Sequence, residues 1–298
     1  MTERLAVEFG AEGGITLGGW LYLPDGPGPH SAITMAHGYA LVKEHGLEPF
    51  AQAFSDDGFV VLLHDHRGFG SSGGEPRQDV DPWRQIADWR RAISLLESRP
   101  EVDAERIGLW GTSYAGGHAI VLGATDRRLR CVVAMVPTIS GYQQGLRRIP
   151  PDAVAALERA FDEDERAQAR GEPPHYQALV SDDPVLPASY RAPQAIDFFL
   201  QTLPEDTVWE NTVTIRSTRA ARMYEPGVWI GRVSPTPLLM VVAINDTVTV
   251  ADLALAAYER ALEPKRLELI PGGHFDPYIS NFSKSSGAAR AWFRHHLM

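Results

Sequence analysis

Residues 109–117 read Leu-Trp-Gly-Thr-Ser-Tyr-Ala-Gly-Gly, and they join a predicted strand, Arg106 to Trp110, to a predicted helix, Tyr114 to Ala124. A serine at a turn between a strand and a helix is typical of a nucleophile elbow, which holds the hydroxyl in the open above the sheet. Small residues flank such a turn because two backbones pass close together. Gly111 meets this need, and Ala115 occupies the second small position. The alternative is that Gly-Thr-Ser only caps the helix.

Outward from this turn, short apolar runs alternate with amphipathic stretches. The alternation predicts an α/β protein with a mostly parallel twisted sheet flanked by helices. The predicted strands are Gly14–Leu23, Ser31–Ala36, Phe59–Leu63, Arg106–Trp110, Leu129–Met135, Leu238–Ile244 and Leu267–Ile270. The predicted helices are Leu47–Asp57, Asp79–Ser98, Tyr114–Ala124, Val250–Leu262 and Ser280–Leu297.

The alternation breaks between residues 139 and 233, a segment rich in proline. It contains helical patches at Asp152–Arg170, Gln194–Leu203 and Arg216–Tyr224, and no strong strand pattern. A segment of this length between two strands is too long for a plain loop. We therefore predict a helical cap over residues 139–233, inserted before the penultimate strand, and a core formed by residues 1–138 and 234–298.

Two further polar residues follow predicted strands, as Ser113 does. Asp246 lies in Ile244-Asn-Asp-Thr247 after the penultimate strand, and His274 lies in Pro271-Gly-Gly-His-Phe-Asp276 after the last one. Each has a purely structural alternative, since Asp246 can cap the next helix and His274 can serve as a turn residue. The joint placement of all three after strand ends predicts a catalytic triad with Ser113 as nucleophile, His274 as base and Asp246 as acid.

A candidate oxyanion hole follows the strand Ser31–Ala36, in the sequence Met35-Ala-His-Gly-Tyr39. Gly38 lets the chain bend, and the N–H groups of Tyr39 and Tyr114 are the predicted donors. Tyr114 also opens a helix, whose N-terminal dipole favours negative charge. The Tyr39 hydroxyl is either a third donor or a packing group.

These motifs together resemble the α/β-hydrolase superfamily. More narrowly, the chain resembles dienelactone-hydrolase-like esterases, S15-type peptidase-like proteins, and polyketide transferases or thiohydrolases. The resemblance covers nearly the whole chain and is sharpest in the core; Ser rather than Cys at the elbow differs from true dienelactone hydrolases. The motifs that carry it are His37-Gly-Tyr39, His64-Asp-His-Arg-Gly-Phe-Gly-Ser-Ser-Gly-Gly74, Gly111-Thr-Ser-Tyr-Ala-Gly-Gly117, Ala243-Ile-Asn-Asp246 and the run from Pro271 to Tyr278.

The triad and the resemblance imply a serine hydrolase that cleaves an ester or thioester of a small to medium organic acid through an acyl-enzyme. Two alternatives stay open: an acyltransferase that passes the acyl group to a metabolite hydroxyl, and a non-catalytic ligand-binding protein of the same fold. A small acyl compound is the expected partner, and no metal or organic cofactor is expected. The aromatic residues of the cap are candidates for pocket lining; they are Phe198, Phe199, Trp209, Tyr224 and Trp229.

The amino-acid composition argues against several other classes of protein, such as nucleic-acid-binding, disulfide-bonded and membrane-spanning proteins. The 298 residues include 28 Lys and Arg against 38 Asp and Glu, for a net charge of −10, so a nucleic-acid surface is not expected. The single cysteine, Cys131, cannot form an internal disulfide and is predicted to be an inert buried thiol. The first residues lack a basic region followed by an apolar run, and no apolar run is long enough to span a bilayer. We expect a cytoplasmic protein with no membrane partner; a homodimer is compatible with the sequence.

The pair His64 and His66 is the one candidate metal site that the sequence offers. We expect the two rings on opposite sides of the strand end, which disfavours a shared metal ion. The resemblance instead assigns the stretch from His64 to Gly74 to a structural turn.

Overall fold

A computed structural model describes residues 3–298. Its strands are β1 (Glu3–Gly10), β2 (Thr16–Leu23), β3 (His30–Ala36), β4 (Val60–His64), β5 (Val102–Thr112), β6 (Leu129–Met135), β7 (Tyr176–Val180), β8 (Ala188–Tyr190), β9 (Thr212–Thr214), β10 (Leu238–Ala243) and β11 (Lys265–Ile270). Its helices are α1 (Glu48–Asp56), α2 (Pro82–Glu97), α3 (Tyr114–Thr125), α4 (Gly141–Arg148), α5 (Val154–Ala169), α6 (Pro193–Phe199), α7 (Ile215–Met223), α8 (Ala251–Arg260) and α9 (Phe282–Leu297).

Eight strands form the central sheet in the order β1-β2-β4-β3-β5-β6-β10-β11. Strand β2 runs antiparallel to both β1 and β4, and every pair from β4 to β11 is parallel. The carboxyl ends of β3, β5, β6, β10 and β11 therefore meet at one edge of the sheet. This confirms the predicted α/β-hydrolase architecture and brings the loops with the candidate catalytic residues together.

Alternate side chains of the parallel strands enter two separate cores, one on each face of the sheet. In β4, Val60 and Leu62 belong to the core on the face covered by α2, α3 and α8, while Val61 and Leu63 belong to the core on the face covered by α1 and α9. A strand that is buried on both faces has a nearly continuous apolar sequence, which is why these strands were predictable.

Strand β1 was not predicted. It pairs only with β2 at the margin of the sheet, and Phe9 is its one fully buried side chain. An edge strand with one packed face lacks the continuous apolar run that identifies the central strands. Within residues 3–298, no helix is both long enough and apolar enough to cross a membrane.

The segment between β6 and β10 contains α4, α5, α6, α7 and a 3-10 helix at Pro226–Arg232. It also contains a second sheet, with the strand order β8-β7-β9, that the sequence did not predict. These strands have three to five residues each and lie among prolines, so they leave little periodic signal. Helix α4 was likewise not predicted. The division of the chain into a core and a cap at residues 139 and 233 stays a prediction.

A cluster of buried imidazoles lies beneath the loop that follows β4. The His66 ring packs edge-on against the rings of His37, His64 and His118, with centroids 4.8, 5.5 and 5.7 Å away. The expectation that His64 and His66 point apart is wrong, because residues two apart on an extended strand share one face. No group of three or more His, Cys, Asp or Glu side chains in residues 3–298 is arranged to hold a metal ion.

This cluster predicts that acid destabilises the fold. Burial lowers the pKa of His37 from 6.5 to about 4 and those of His64 and His118 to about 3. Between these values and 6.5 only the unfolded chain binds the protons, so the free energy of unfolding falls as the pH falls. Each such group contributes a slope of up to about 1.4 kcal/mol per pH unit. Denaturant unfolding measured from pH 7.5 to 4.5 is expected to show this loss beginning near pH 6.5; an unchanged free energy across that range would contradict it.

Candidate active site

Ser113 occupies a sharp turn between β5 and α3. Its φ and ψ are 55° and −117°, a backbone conformation that non-glycine residues rarely adopt. The turn is fixed on both sides, because the Ser113 N–H donates to the Met135 carbonyl at 2.8 Å and its carbonyl accepts from the Thr138 N–H at 2.9 Å. The strained turn leaves the serine half-buried at the end of the strand, as a nucleophile elbow requires.

Glycines make room for this turn. A Cβ atom on Gly111 would collide with the Ala115 carbonyl, so the first small position of the motif has to be glycine. Ala115 itself is fully buried, and the turn accommodates its methyl group. A Cβ atom on Gly38 would lie 2.9 Å from Ser113 Cβ and 3.3 Å from its Oγ. The loop after β3 therefore passes directly over the serine.

Replacing Gly38 by alanine is expected to lower kcat about 100-fold, the effect of disturbing one oxyanion-hole donor. The new methyl group would push apart the Ser113 side chain and the loop that presents the Tyr39 N–H. Steady-state kinetics on an ester substrate measure the loss. Gly287→Ala in α9 is the matched control, because nothing lies within 4 Å of a Cβ atom there. A Gly38→Ala enzyme with wild-type kcat would show that the loop does not act on the serine.

His274 reaches Ser113 from the loop that follows β11. Its Nε2 lies 3.0 Å from Ser113 Oγ, and the ring is 3% exposed. The loop is tied to the next turn, since the Gly273 N–H donates to Asp276 Oδ2 at 2.7 Å. The imidazole is therefore held in contact with the serine hydroxyl rather than in a surface turn.

Asp246 contacts the opposite side of the same imidazole. Its Oδ2 lies 2.7 Å from His274 Nδ1, and its Oδ1 accepts from the N–H groups of Val248 and Thr249 at 2.7 and 2.9 Å. Burial raises the pKa of this carboxyl, but the charge and hydrogen bond of His274 and the hydrogen bonds from Thr249 outweigh burial and lower it. Asp246 is thus an ionised carboxylate that both orders its own loop and orients the imidazole.

Other polar side chains that could act as catalytic groups form hydrogen bonds or are buried elsewhere. Glu225, a possible alternative acid in the cap, accepts from Ser140 Oγ at 2.9 Å and from the Tyr142 N–H at 3.0 Å, at the start of α4. The His118 Nδ1 is hydrogen-bonded to the Tyr224 hydroxyl. Cys131 is a free thiol inside β6, and burial raises its pKa. The structure brings Ser113, His274 and Asp246 together and leaves these groups elsewhere.

The N–H groups of Tyr39 and Tyr114 belong to the loop over Ser113 and to the first turn of α3. Within residues 3–298, neither N–H donates to a protein acceptor, which leaves both free to bind an oxyanion. The two tyrosine rings meet edge-on with centroids 5.4 Å apart. Burial raises the pKa of the Tyr39 phenol, which lies near Thr218. Its role as a third donor stays a prediction.

A cavity of about 650 Å³ opens onto these groups. Ser113, Tyr39 and Tyr114 form part of its wall, together with Val248 and Thr249 from the loop after β10. The segment between β6 and β10 supplies most of the remainder, from α4, α5, α7, β7 and the loop around β8. Among the residues of the wall are three arginines, Arg148, Arg191 and Arg222, and no Asp or Glu. The cavity is large enough for a medium-sized acyl group and its surroundings are positively charged.

The five aromatic residues predicted to line a pocket are absent from this wall, so the structure does not support that role in this cavity. Phe198 stacks on Phe275 at 4.7 Å, and Phe199 packs against Tyr190. Both anchor α6 on the loop that carries His274.

The other three of these rings also act as packing groups. Trp209 donates its indole N–H to the Ala40 carbonyl at 2.9 Å. The Tyr224 ring packs against the Tyr114 ring, and its hydroxyl is hydrogen-bonded to His118. Trp229 lies under the Arg232 guanidinium. The aromatic residue of the insertion that does line the cavity is Tyr190, which the sequence analysis missed because it lies on a three-residue strand.

Comparison with known proteins identifies the family of this chain. The model of the X-Pro dipeptidyl-peptidase (S15) family matches residues 13–276. The chain is 33% identical to the thiohydrolase AneE of Aspergillus aculeatus over 271 residues, 88% of this chain and 83% of that protein. It is 30% identical to the polyketide transferase GrgF of a Penicillium species over 274 residues, 92% of this chain and 90% of that protein.

The solved structures agree with these sequence matches. The crystal structure of the α/β-hydrolase GrgF from Penicillium sp. sh18 superposes with a TM-score of 0.86 at 26% identity and covers 99% of both chains. These findings confirm the resemblance drawn from the motifs. The protein therefore belongs to the S15 family and is an enzyme of the α/β-hydrolase fold.

Proposed function

We propose that this enzyme cleaves a carboxylic ester or thioester of a small to medium organic acid through an acyl-enzyme on Ser113. The observation that carries the proposal is the continuous chain of hydrogen bonds from Ser113 Oγ through His274 to Asp246, at 3.0 and 2.7 Å. It lies at the wall of a cavity large enough for an acyl chain. A non-catalytic binding protein has no need of this chain.

In the first step His274 Nε2 takes the proton of the Ser113 hydroxyl as the oxygen attacks the carbonyl carbon. The N–H groups of Tyr39 and Tyr114 bind the oxygen that becomes negative, and the dipole of α3 adds to their effect. Asp246 keeps the Nδ1 proton on the imidazole and stabilises the imidazolium without taking the proton. The imidazolium then protonates the leaving alcohol or thiol.

In the second step the same imidazole activates a water molecule, which attacks the acyl-enzyme. The acid leaves and Ser113 recovers its proton. The proposed reaction uses only groups of this chain and a water molecule, so we expect it to need no metal or organic cofactor.

The charge of the cavity favours this reaction over the peptidase activity in the family's name. A dipeptidyl-peptidase must bind the ammonium group of a peptide, and such a group needs a carboxylate partner when water is excluded. No Asp or Glu of the described residues lines the cavity. Esters and thioesters of organic acids carry no such cation.

Acyl transfer is the second candidate, because relatives that cover most of this chain are named polyketide transferases. The triad serves both reactions, and the difference lies in whether water or an alcohol attacks the acyl-enzyme. Only the products separate the two.

A turnover screen tests the proposal. It compares p-nitrophenyl esters and N-acetylcysteamine thioesters of two to twelve carbons with lactones and with an Ala-Pro p-nitroanilide. We expect turnover of esters and thioesters and at least a 100-fold lower kcat/KM for the anilide. Adding an alcohol and analysing the products distinguishes an ester-forming transferase from a hydrolase. Cleavage of the anilide alone would make the enzyme a peptidase and contradict the proposal.

A further inference from the structure

Two arginines from neighbouring helices of the insertion line the cavity that contains Ser113. Arg148 is at the end of α4 and Arg222 is in the last turn of α7. The two helices pack closely where Gly145 faces Arg222: a Cβ atom on Gly145 would lie 3.3 Å from the Arg222 Nε. The absence of a side chain at Gly145 lets the guanidinium lie flat against α4, at the cavity wall.

Arg222 has hydrogen-bonding capacity that the protein does not use. Its Nη1 donates to Glu158 Oε1 at 2.8 Å, but its buried Nε has no hydrogen-bond partner within residues 3–298. Arg222 lines the cavity, and the remaining donors of its guanidinium can bind an anionic oxygen placed there. Glu158 is itself half exposed, so it offsets the arginine charge only in part.

Arg148 has no carboxylate partner within ion-pair distance in the described part of the chain. Its Nη2 donates to the Val248 carbonyl at 3.0 Å, and its guanidinium lies 4.5 Å above the Tyr190 ring. The other arginines nearby differ. Arg147 is paired with Asp252, and Arg191 donates to two backbone carbonyls of its own loop.

We propose that Arg148 and Arg222 form an anion-binding subsite, and that the substrate carries a carboxylate or phosphate group in addition to the bond that is cleaved. This rests on the proposed function, since it names the class of ester or thioester that enters the cavity. A wall with positive arginines and without carboxylates attracts an anion.

The anion has two possible positions in a thioester: the far end of the acyl chain, or the thiol that leaves. Matched substrates separate them. The N-acetylcysteamine thioesters of octanoic acid and of octanedioic acid differ in a terminal carboxylate on the acyl chain. Octanoyl pantetheine and octanoyl 4′-phosphopantetheine differ only in a phosphate on the thiol that leaves. The ratio of kcat/KM within each pair measures the anion preference. A general effect of a substitution on folding or rate changes both members of a pair equally and cancels in this ratio.

The wild-type enzyme is expected to prefer the anionic member of one pair, mainly through KM and less strongly at high salt. Arg222→Gln and Arg148→Gln are each expected to reduce that ratio about tenfold, the effect of removing one hydrogen bond to a charged group. Arg219→Gln is the matched control, because Arg219 is on the same helix but outside the cavity wall and paired with Glu165. Glu158→Gln should keep or increase the ratio, since it removes the competing carboxylate.

Binding to the Ser113→Ala protein gives the same comparison without turnover. Calorimetry with the two N-acetylcysteamine thioesters and with octanoyl pantetheine and its 4′-phosphate should show tighter binding of an anionic member, lost in the arginine variants. Ratios near one in both pairs, or a preference that the arginine variants retain, would overturn the subsite. Turnover of the neutral thioester without any anion preference would overturn it and leave the proposed function standing. If neither esters nor thioesters are turned over, the proposed function fails, and the binding comparison still decides the subsite.

Discussion

Ser113→Ala is expected to lower kcat for ester hydrolysis about 10⁶-fold, the loss that follows removal of the nucleophile from a serine triad. The reason is local: His274 Nε2 has its hydrogen-bond partner in Ser113 Oγ, and the alanine offers no atom that can form the acyl bond. Rate measurements on the best ester from the screen, with single-turnover kinetics for the slow variant, give the ratio.

The matched control is Ser94→Ala, an exposed serine of α2 whose hydroxyl accepts from Arg128 on the surface. Its kcat should equal that of the wild type, and the thermal unfolding of both variants should stay close to wild type. A Ser113→Ala protein that retains more than a few per cent of wild-type kcat would show that another residue is the nucleophile.

Asp246→Asn is the second large effect, an expected loss of about 10⁴ in kcat. The asparagine keeps an oxygen for the Val248 and Thr249 N–H groups, so the loop after β10 should remain in place. Its amide group, however, presents a donor to His274 Nδ1 and moves the imidazole proton to Nε2. The Nε2 atom can then no longer accept the proton of the serine.

Asp252→Asn provides the matched control, since Asp252 is a nearby exposed carboxylate that pairs with Arg147 and does not contact the imidazole. Its kcat should change less than twofold. If Asp246→Asn were as active as this control, the carboxylate would be a structural cap for its loop and the acid would lie elsewhere.

The central strands of the sheet were predictable because they are buried on both faces. Strand β6 begins and ends where the apolar run Leu129–Met135 does, and β10 differs from its predicted range by one residue. The marginal strand β1 was missed because only one of its faces is packed. Local sequence thus identifies an element when burial determines every position in it.

The positions of Ser113, Asp246 and His274 were predictable for a related reason. Each lies shortly after the carboxyl end of a parallel strand, and parallel strands bring their carboxyl ends to the same edge of the sheet. Nothing in this inference depends on how the insertion folds.

The cavity wall could not be predicted, because it depends on packing between elements distant in sequence. Tyr190, Arg148 and Arg222 come from a short strand and two helices whose arrangement no local pattern reveals. The predicted rings Phe198 and Trp209 are as apolar as a pocket would need, yet they pack on the core. Aromatic composition indicates burial but does not distinguish an interior contact from a cavity wall.

The most direct test of the proposed chemistry is the site of covalent labelling by a fluorophosphonate, which reacts preferentially with an activated serine. The wild-type protein is incubated with the probe, digested and mapped by peptide mass spectrometry, beside Ser113→Ala and Asp246→Asn. We predict one adduct, on Ser113, that is absent from Ser113→Ala and forms far more slowly in Asp246→Asn. An unlabelled wild-type protein, or an adduct on any other residue, would contradict the assignment of Ser113 as the nucleophile.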